Sequence, residues 1–198
     1  MIIGNLETTH PYVCPFCRRR KGAPPQQTAG VGFTAQGFDC SSDYLRLPAS
    51  TDPRASFIFA GVDIEVGERF GAQGLAGGGA AGLEIDRADT SLGTPKHALR
   101  IAVADRFPHS YKRVAEEATH AHTAISGLTD PLVRADVVFY ELPNGGAVFA
   151  TGSIAWAGAL PPQAYDNAVA RITANVVRRF ADPLPFEPPS TAVSVARL

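Results

Sequence analysis

The sequence lacks an excess of charge of either sign. Its 198 residues include 18 basic and 19 acidic side chains, which give a formal net charge of -1 at pH 7. Proteins that bind nucleic acid or anionic membranes through electrostatics need a basic surface. The only basic run, Arg18-Arg19-Arg20-Lys21, is too short to provide one, so we expect no nucleic-acid partner.

Long apolar runs are also missing. A membrane-spanning helix needs about 20 consecutive apolar residues, and no stretch of the sequence approaches that length. The first residues, Met1–Glu7, lack the basic start and apolar core of a signal peptide. These two absences predict a cytoplasmic protein without a membrane partner.

Cysteine is scarce, with three residues in the chain. This odd count favours reduced thiols over a disulfide framework. Cys14 and Cys17 have the spacing of a zinc knuckle, and His10 and Cys40 could complete a four-ligand site. No second closely spaced pair is present, so free thiols in an irregular N-terminal segment are the favoured interpretation.

Glycine and proline are plentiful, with 19 and 16 residues, and they occur in clusters. Clustering of this kind marks loops in a folded chain, and 45% apolar residues are enough for one domain with a core. We predict an irregular N-terminal segment at 1–20, a folded domain at 21–183 and a proline-rich tail at 184–198.

One β-hairpin is strongly indicated. The β-rich runs Ala135–Leu142 and Ala147–Ile154 flank Pro143-Asn144-Gly145-Gly146. Asn-Gly between two such runs is a hairpin signal because both residues tolerate positive φ.

A long helix is predicted at Pro161–Ala181, where apolar residues recur along one face and Pro183 follows the end. Short apolar runs predict strands at Ala55–Val62 and His97–Ala104, and residues 110–121 fit a short helix. Apolar strands mixed with helices indicate an α/β fold.

The glycine-rich segment 71–82 precedes two acidic residues, Glu84 and Asp86. It matches neither common phosphate-binding pattern, so we interpret it as a loop whose backbone passes close to another surface. If the following segment is extended, Glu84 and Asp86 share one face, opposite Leu83 and Ile85. Two acids beside such a loop could perform acid–base chemistry, although a solvated polar face is the commoner reason for this pattern.

Other candidate groups carry weaker signals. His120 and His122 lack the i, i+4 spacing of a helical metal pair. Ser153 is a minor nucleophile candidate because no Gly-x-Ser-x-Gly motif surrounds it.

Several blocks of the sequence carry a resemblance to a known family. The blocks are Gly30–Asp39, Gly77–Arg87, Leu92–His97, Pro131–Asp136, Pro143–Trp156, Tyr165–Asn167 and Arg178–Phe180. They resemble the C-terminal part of the large subunit of the N,N-dimethylformamidase family. They occur in the same order and together span most of residues 20–183.

This resemblance implies a partial three-layer, glutamine-amidotransferase-like α/β domain with the hairpin and a C-terminal amphipathic helix. It also implies an iron enzyme that hydrolyses the C–N bond of a small N-substituted linear amide. In the family the iron is held by two tyrosinates and one glutamate upstream of the matched blocks. The resemblance therefore assigns no iron ligand here. It makes Glu84 the candidate catalytic carboxylate, which would serve as a base, and His97 and Asn144 are further candidates for pocket lining.

The family's large polypeptide is several times longer than this chain. We therefore expect a C-terminal fragment or domain, inactive alone, that joins a hetero- or homo-oligomer and acts on a small amide. The alternative is a non-catalytic binding or assembly module of the same fold that needs a partner chain.

Overall fold

Two antiparallel β-sheets form the framework of the protein. The computed structural model describes residues 2–4, 24–74, 77–114 and 121–189. In chain order the strands are β1 (Ile2–Gly4), β2 (Gly32–Ser42), β3 (Tyr44–Arg46), β4 (Arg69–Phe70), β5 (Ala81–Arg87), β6 (Leu99–Ala104), β7 (Lys112–Val114), β8 (Ala121–Ser126), β9 (Ala135–Glu141) and β10 (Ala147–Ala150). The helices are α1 (Gln26–Ala29) and α2 (Ala168–Ala181), and several 3₁₀ turns connect the strands.

The larger sheet has the strand order β1-β10-β9-β6-β3-β4, and the smaller sheet has the order β5-β2-β7-β8. Every strand pair within the described residues is antiparallel. The mixture of helices and strands is compatible with the predicted α/β class. The predicted irregular segment is wrong at Ile2–Gly4, because these residues pair with β10 at the edge of the larger sheet.

The predicted hairpin is confirmed as β9 and β10, with Ala147 opposite Glu141. The turn closes through a bond from the Gly145 amide to the Leu142 carbonyl, at 3.1 Å. Only Gly145 uses the left-handed region, with φ of 84°. Asn144 contributes differently, because its side-chain oxygen accepts a bond from the Gly146 amide.

The predicted C-terminal helix is confirmed at its end, Ala181, but it begins later than Pro161. Asn167 caps α2 by accepting a bond from the Ala170 amide at 3.0 Å. A 3₁₀ turn at Pro162–Tyr165 precedes the cap, and Tyr165 is 64% exposed. The buried face of α2 is formed by Val169, Ile172 and Val176.

Two other local predictions are wrong. The run Ala55–Val62 contains a 3₁₀ helix at Ser56–Phe59 instead of a strand. The predicted helix at 110–121 contains strand β7, and residues 115–120 lie outside the described part of the chain. The strand predicted at His97–Ala104 is confirmed from Leu99 onward.

An aromatic cluster occupies the core beneath α2. The Trp156 ring lies 5.5 Å from that of Tyr44 and 6.3 Å from that of Phe70, measured between centroids. The Trp156 indole nitrogen donates to Thr173 on α2 at 3.0 Å. This contact joins the helix to the strands that carry Tyr44 and Phe70.

The predicted tail is anchored at its first residues. Phe186 packs against Phe180, Phe139 and Phe57, and its amide donates to the Gly145 carbonyl at 2.8 Å. The tail thus contacts both the hairpin turn and the core. Among the described residues, no helix has the length and apolar character needed to cross a membrane.

Candidate functional site

Glu84 lies on β5, the edge strand of the smaller sheet, and its side chain is exposed. It is in direct register with Gln36 of β2, which is in register with Lys112 of β7. Lys112 in turn is opposite Ser126 of β8. Residues in direct register project from the same face of a sheet, so Glu84, Gln36 and Lys112 form a polar row across three strands.

The alternation predicted around Glu84 holds in part. Ile85 points into the core and is fully buried, whereas Glu84 faces outward. Leu83 departs from the predicted pattern because its φ is 63° and it is only half-buried. The positive φ interrupts regular strand geometry, and the pairing register of β2 with β5 shifts at the same place.

The glycine-rich loop packs closely against the end of β2. A side chain at Gly79 would place its Cβ 2.5 Å from the Ser42 carbonyl oxygen, and one at Gly77 would lie 2.9 Å from Cys40 Cα. A Cβ at Gly82 would approach the Ser41 hydroxyl oxygen still more closely. The glycines therefore allow backbone-to-backbone contact, as the sequence predicted, and the space beside them is filled by the β2 chain.

His109 contacts both members of the cross-strand pair Lys112 and Ser126. Its Nε2 lies 3.0 Å from Lys112 Nζ, and its Nδ1 lies 3.0 Å from Ser126 Oγ. Ser126 is fully buried, whereas His109 is exposed. The imidazole is thus fixed by a contact at each nitrogen, next to the polar row.

The buried tyrosines do not suit the iron ligation that the resemblance implies. The phenols of Tyr44, Tyr111 and Tyr140 donate to the carbonyls of Thr151, Cys40 and Thr28, at 2.6, 2.5 and 2.7 Å respectively.

Burial raises the pKa of Tyr111 and of Tyr140 to about 12, and raises that of Tyr44 well above its ordinary value. A tyrosinate ligand needs the opposite shift. Within the described residues, no group of three or more His, Cys, Asp or Glu side chains is placed to hold a metal ion.

The remaining sequence candidates have structural contacts. Ser153 is 3% exposed, and its hydroxyl bonds to the Gly82 amide at 2.8 Å, the Gly82 carbonyl at 2.9 Å and the Ala155 amide at 3.1 Å. Three backbone bonds leave this hydroxyl no room for a nucleophilic role. His97 Nε2 lies 3.1 Å from the Glu141 carbonyl oxygen, and Asn144 belongs to the hairpin turn.

The zinc hypothesis falls largely on residues outside the described part of the chain. Those residues are His10, Cys14 and Cys17. Cys40 is a free, half-buried thiol whose pKa is raised by burial and by the nearby Asp39 carboxylate. His120 and the side chain of His122 also lie outside the described residues.

A groove of about 530 Å³ lies between β6 and the segment 127–134. Arg100 and Arg134 contribute its basic side chains, but both guanidinium groups lie within ion-pair distance of buried Asp136. Glu84 does not line this groove. The groove and the polar row are therefore separate features.

Comparison with known proteins places the chain in a family. The family model for the C-terminal part of N,N-dimethylformamidase beta subunit-like proteins matches residues 5–167. The chain belongs to this family. The match confirms the resemblance, with the subunit named beta instead of large, and begins earlier than the domain boundary predicted at residue 21.

Two curated beta subunits of N,N-dimethylformamidase are similar to the chain. The protein from Paracoccus aminophilus is 40% identical over 162 residues, and that from Alcaligenes sp. is 39% identical over 162 residues. Each alignment covers 82% of this chain but only 21% of the relative. The chain thus spans about a fifth of the length of these relatives.

Sequence reasoning named Glu84 as a candidate but did not single out its structural neighbours Gln36, Lys112 and His109. Gln36 and Lys112 lie on strands that are not adjacent in sequence to β5, so only the strand register brings them together. The available signal was the alternation in Ala35-Gln36-Gly37, which predicts one outward polar residue on a strand. No sequence signal fixed which residues that side chain would meet.

Proposed function

We propose that the chain is the C-terminal domain of an amidohydrolase that cleaves the C–N bond of a small N-substituted linear amide. Family membership supports this reaction, because the similar proteins are named N,N-dimethylformamidase beta subunits. The main structural support for the proposed active site is that the exposed carboxylate of Glu84 lies in register with Gln36. Glu84 is the general base in this proposal.

The chemistry of Glu84 follows from its exposure. A carboxylate with no hydrogen-bond or ion-pair partner among the described residues can accept a proton from water. The water oxygen then bonds to the amide carbon, and the carbonyl π electrons move to oxygen. When the carbonyl re-forms, the C–N bond breaks and its electron pair stays on nitrogen. Nitrogen takes the proton that Glu84 accepted from water and leaves as an amine.

Gln36 lies beside Glu84 and is half-buried. A carboxamide has both donors and an acceptor, so it can bond to the carbonyl oxygen of a small amide above the row. In this arrangement Gln36 orients the substrate and Glu84 activates the water.

The remaining parts of the proposal concern the complete enzyme. The family resemblance implies iron, and the buried phenols described above do not fit its ligation, so we assign its ligands to polypeptide outside this chain. The glutamine-amidotransferase-like architecture, a cytoplasmic location and a hetero- or homo-oligomeric assembly also belong to the proposal. A structure of the assembled enzyme would test that architecture against the antiparallel pairing of the described strands.

The deciding experiment compares Glu84→Gln with Glu65→Gln in the chain co-purified with the polypeptide that supplies the rest of the subunit. Glu65 is exposed and lies in a turn before β4, so its substitution controls for loss of one surface charge. Hydrolysis of N,N-dimethylformamide is measured as the release of dimethylamine. We expect Glu84→Gln to lower kcat by about 100-fold or more and Glu65→Gln to leave it unchanged.

Unchanged turnover in Glu84→Gln would exclude the base assignment. If the wild-type assembly binds its partner polypeptide but releases no amine from any small amide, the chain is the alternative, a non-catalytic assembly module.

A further inference from the structure

A second proton-carrying group lies in the same row as Glu84. Lys112 is separated from Glu84 by one strand, with Gln36 between them in direct register. Neighbouring strands are about 4.8 Å apart, which places the Glu84 and Lys112 backbones about 10 Å apart. Glu84 and Lys112 therefore flank Gln36, one on each neighbouring strand.

The contact between Lys112 and His109 defines the state of the imidazole. An ammonium group carries three donors and no acceptor, so at 3.0 Å it donates to the lone pair of His109 Nε2. The proton of neutral His109 is then on Nδ1, which donates to Ser126 Oγ at 3.0 Å. Buried Ser126 is fixed in turn, because its backbone amide donates to Thr129 Oγ1 at 3.2 Å.

We propose that Lys112 is the general acid that protonates the leaving amine and that His109 positions it. This inference rests on the proposed function, in which Glu84 is the base. It adds a separate proton donor, so that Glu84 need not return the proton it has taken from water.

Glu84 accepts a proton from water as the water oxygen bonds to the carbonyl carbon. The C–N bond then breaks, its electron pair stays on nitrogen, and nitrogen takes a proton from Lys112 Nζ. Lys112 is left as a neutral amine, and the proton on Glu84 returns to it through solvent.

The test varies the basicity of the leaving group. A dialkylamine must be protonated as it leaves, whereas the nitrogen of an anilide is much less basic and depends less on an acid. We therefore compare N,N-dimethylformamide with formanilide, using Lys112→Met and the control Lys96→Met in the reconstituted enzyme. Lys96 is exposed and lies outside the polar row.

We expect Lys112→Met to lower kcat for N,N-dimethylformamide by about 100-fold or more, and to lower it several-fold less for formanilide. Equal losses for both substrates would assign Lys112 a structural role and overturn the proposal. If Glu84→Gln abolishes turnover but Lys112→Met changes neither rate, the proposed function stands and this inference fails.

His109 is tested by rescue. His109→Asn keeps an acceptor for the lysine ammonium, whereas His109→Ala removes it. We expect the alanine variant to show the leaving-group-dependent loss of Lys112→Met and the asparagine variant to recover part of it. Equal defects in the two variants would contradict the positioning role.

An activity-independent measurement uses the 198-residue chain alone. The imidazole ¹⁵N shifts of His109 report its tautomer, and we expect the Nδ1–H form in the wild type. In Lys112→Met the Nε2–H form should increase, because Nε2 has lost its donor. A wild type that is already in the Nε2–H form would overturn the proposal whatever the assays show.

Discussion

The phenol of Tyr140 donates to the carbonyl of Thr28 at 2.7 Å, which joins the short helix α1 to the central strand β9. The same ring lies beside Gly30, where an added Cβ would approach Tyr140 to 2.7 Å. Gly30 has φ of 76° and ends α1. The chain before β2 is therefore held against the larger sheet by one hydrogen bond and one close glycine contact.

Tyr140→Phe should lower the free energy of unfolding by about 1 kcal/mol near neutral pH, because it removes this hydrogen bond. Burial raises the pKa of Tyr140 to about 12, whereas an unfolded tyrosine has a pKa of about 10. The stabilisation is thus complete below about pH 10 and is lost as the pH rises through the folded-state value.

Urea unfolding at several pH values checks this expectation. The difference between wild type and Tyr140→Phe should shrink between about pH 10 and pH 12. Tyr165→Phe is the control, since that ring is 64% exposed. A difference that grows with pH would show that the sign is wrong.

Ser153→Ala should destabilise the protein by about 2 kcal/mol, because the Gly82 amide and carbonyl would lose their common partner in a buried site. The control is Ser56→Ala. The exposed Ser56 hydroxyl donates to the Pro53 carbonyl, and its loss should change the free energy of unfolding by less than about 0.5 kcal/mol. Urea midpoints measure both. A Ser153→Ala variant with wild-type stability and no activity would instead indicate a nucleophile.

The hairpin and the end of α2 were predictable because local residues determine them. Gly145 supplies the positive φ of the turn, and Pro183 follows the last turn of the helix. The start of α2 was not predictable from the sequence, because Asn167 is one of several possible caps after Pro161 and Pro162. Only the structure shows that its side chain also donates to the Leu160 and Pro162 carbonyls.

The error at Ala55–Val62 has a tertiary cause. A short apolar run does not distinguish a strand from a buried helical turn. Here Asn175 of α2 donates to the carbonyls of Ile58 and Ala60, which satisfies backbone groups that a sheet partner would otherwise bind. The polar row was beyond sequence reasoning for a similar reason, since it depends on the register of β2 with β5 and β7.

Gly79→Ala should be more harmful than Gly67→Ala. Both glycines have positive φ, 115° and 91°, so both substitutions strain the backbone. Among the residues that the structure describes, none lies within 4 Å of a Cβ added at Gly67, whereas one at Gly79 would lie 2.5 Å from the Ser42 carbonyl oxygen.

We expect Gly79→Ala to cost at least about 2 kcal/mol more than Gly67→Ala, measured by thermal and urea unfolding. Equal costs would mean that the close approach to β2 is not needed for stability.

Phe186→Ala should destabilise the protein by about 2 kcal/mol, because this half-buried ring contacts three aromatic rings. It also lies under the Arg179 guanidinium, 3.8 Å from the ring centroid. Leu184→Ala is the control, since Leu184 is 67% exposed and its loss should cost less than about 0.5 kcal/mol. Similar effects from the two substitutions would contradict the anchoring of the tail through Phe186.

The dialysed 198-residue chain should contain far less than one iron per molecule. The phenols of Tyr44, Tyr111 and Tyr140 each donate to a backbone carbonyl. Burial raises the pKa of each phenol. Converting any of them to a tyrosinate would require breaking a buried hydrogen bond and placing a charge where burial disfavours it.

Elemental analysis after dialysis measures the metal content, and the visible spectrum after addition of ferric ion tests for tyrosinate-to-iron charge transfer. About one iron per chain together with such a band would mean that this chain supplies tyrosinate ligands, contrary to the assignment of the iron site to other polypeptide. Stoichiometric zinc would direct attention to His10, Cys14, Cys17 and Cys40. Substituting Cys14→Ser and Cys17→Ser together should then release that zinc, since thiolates are its expected ligands.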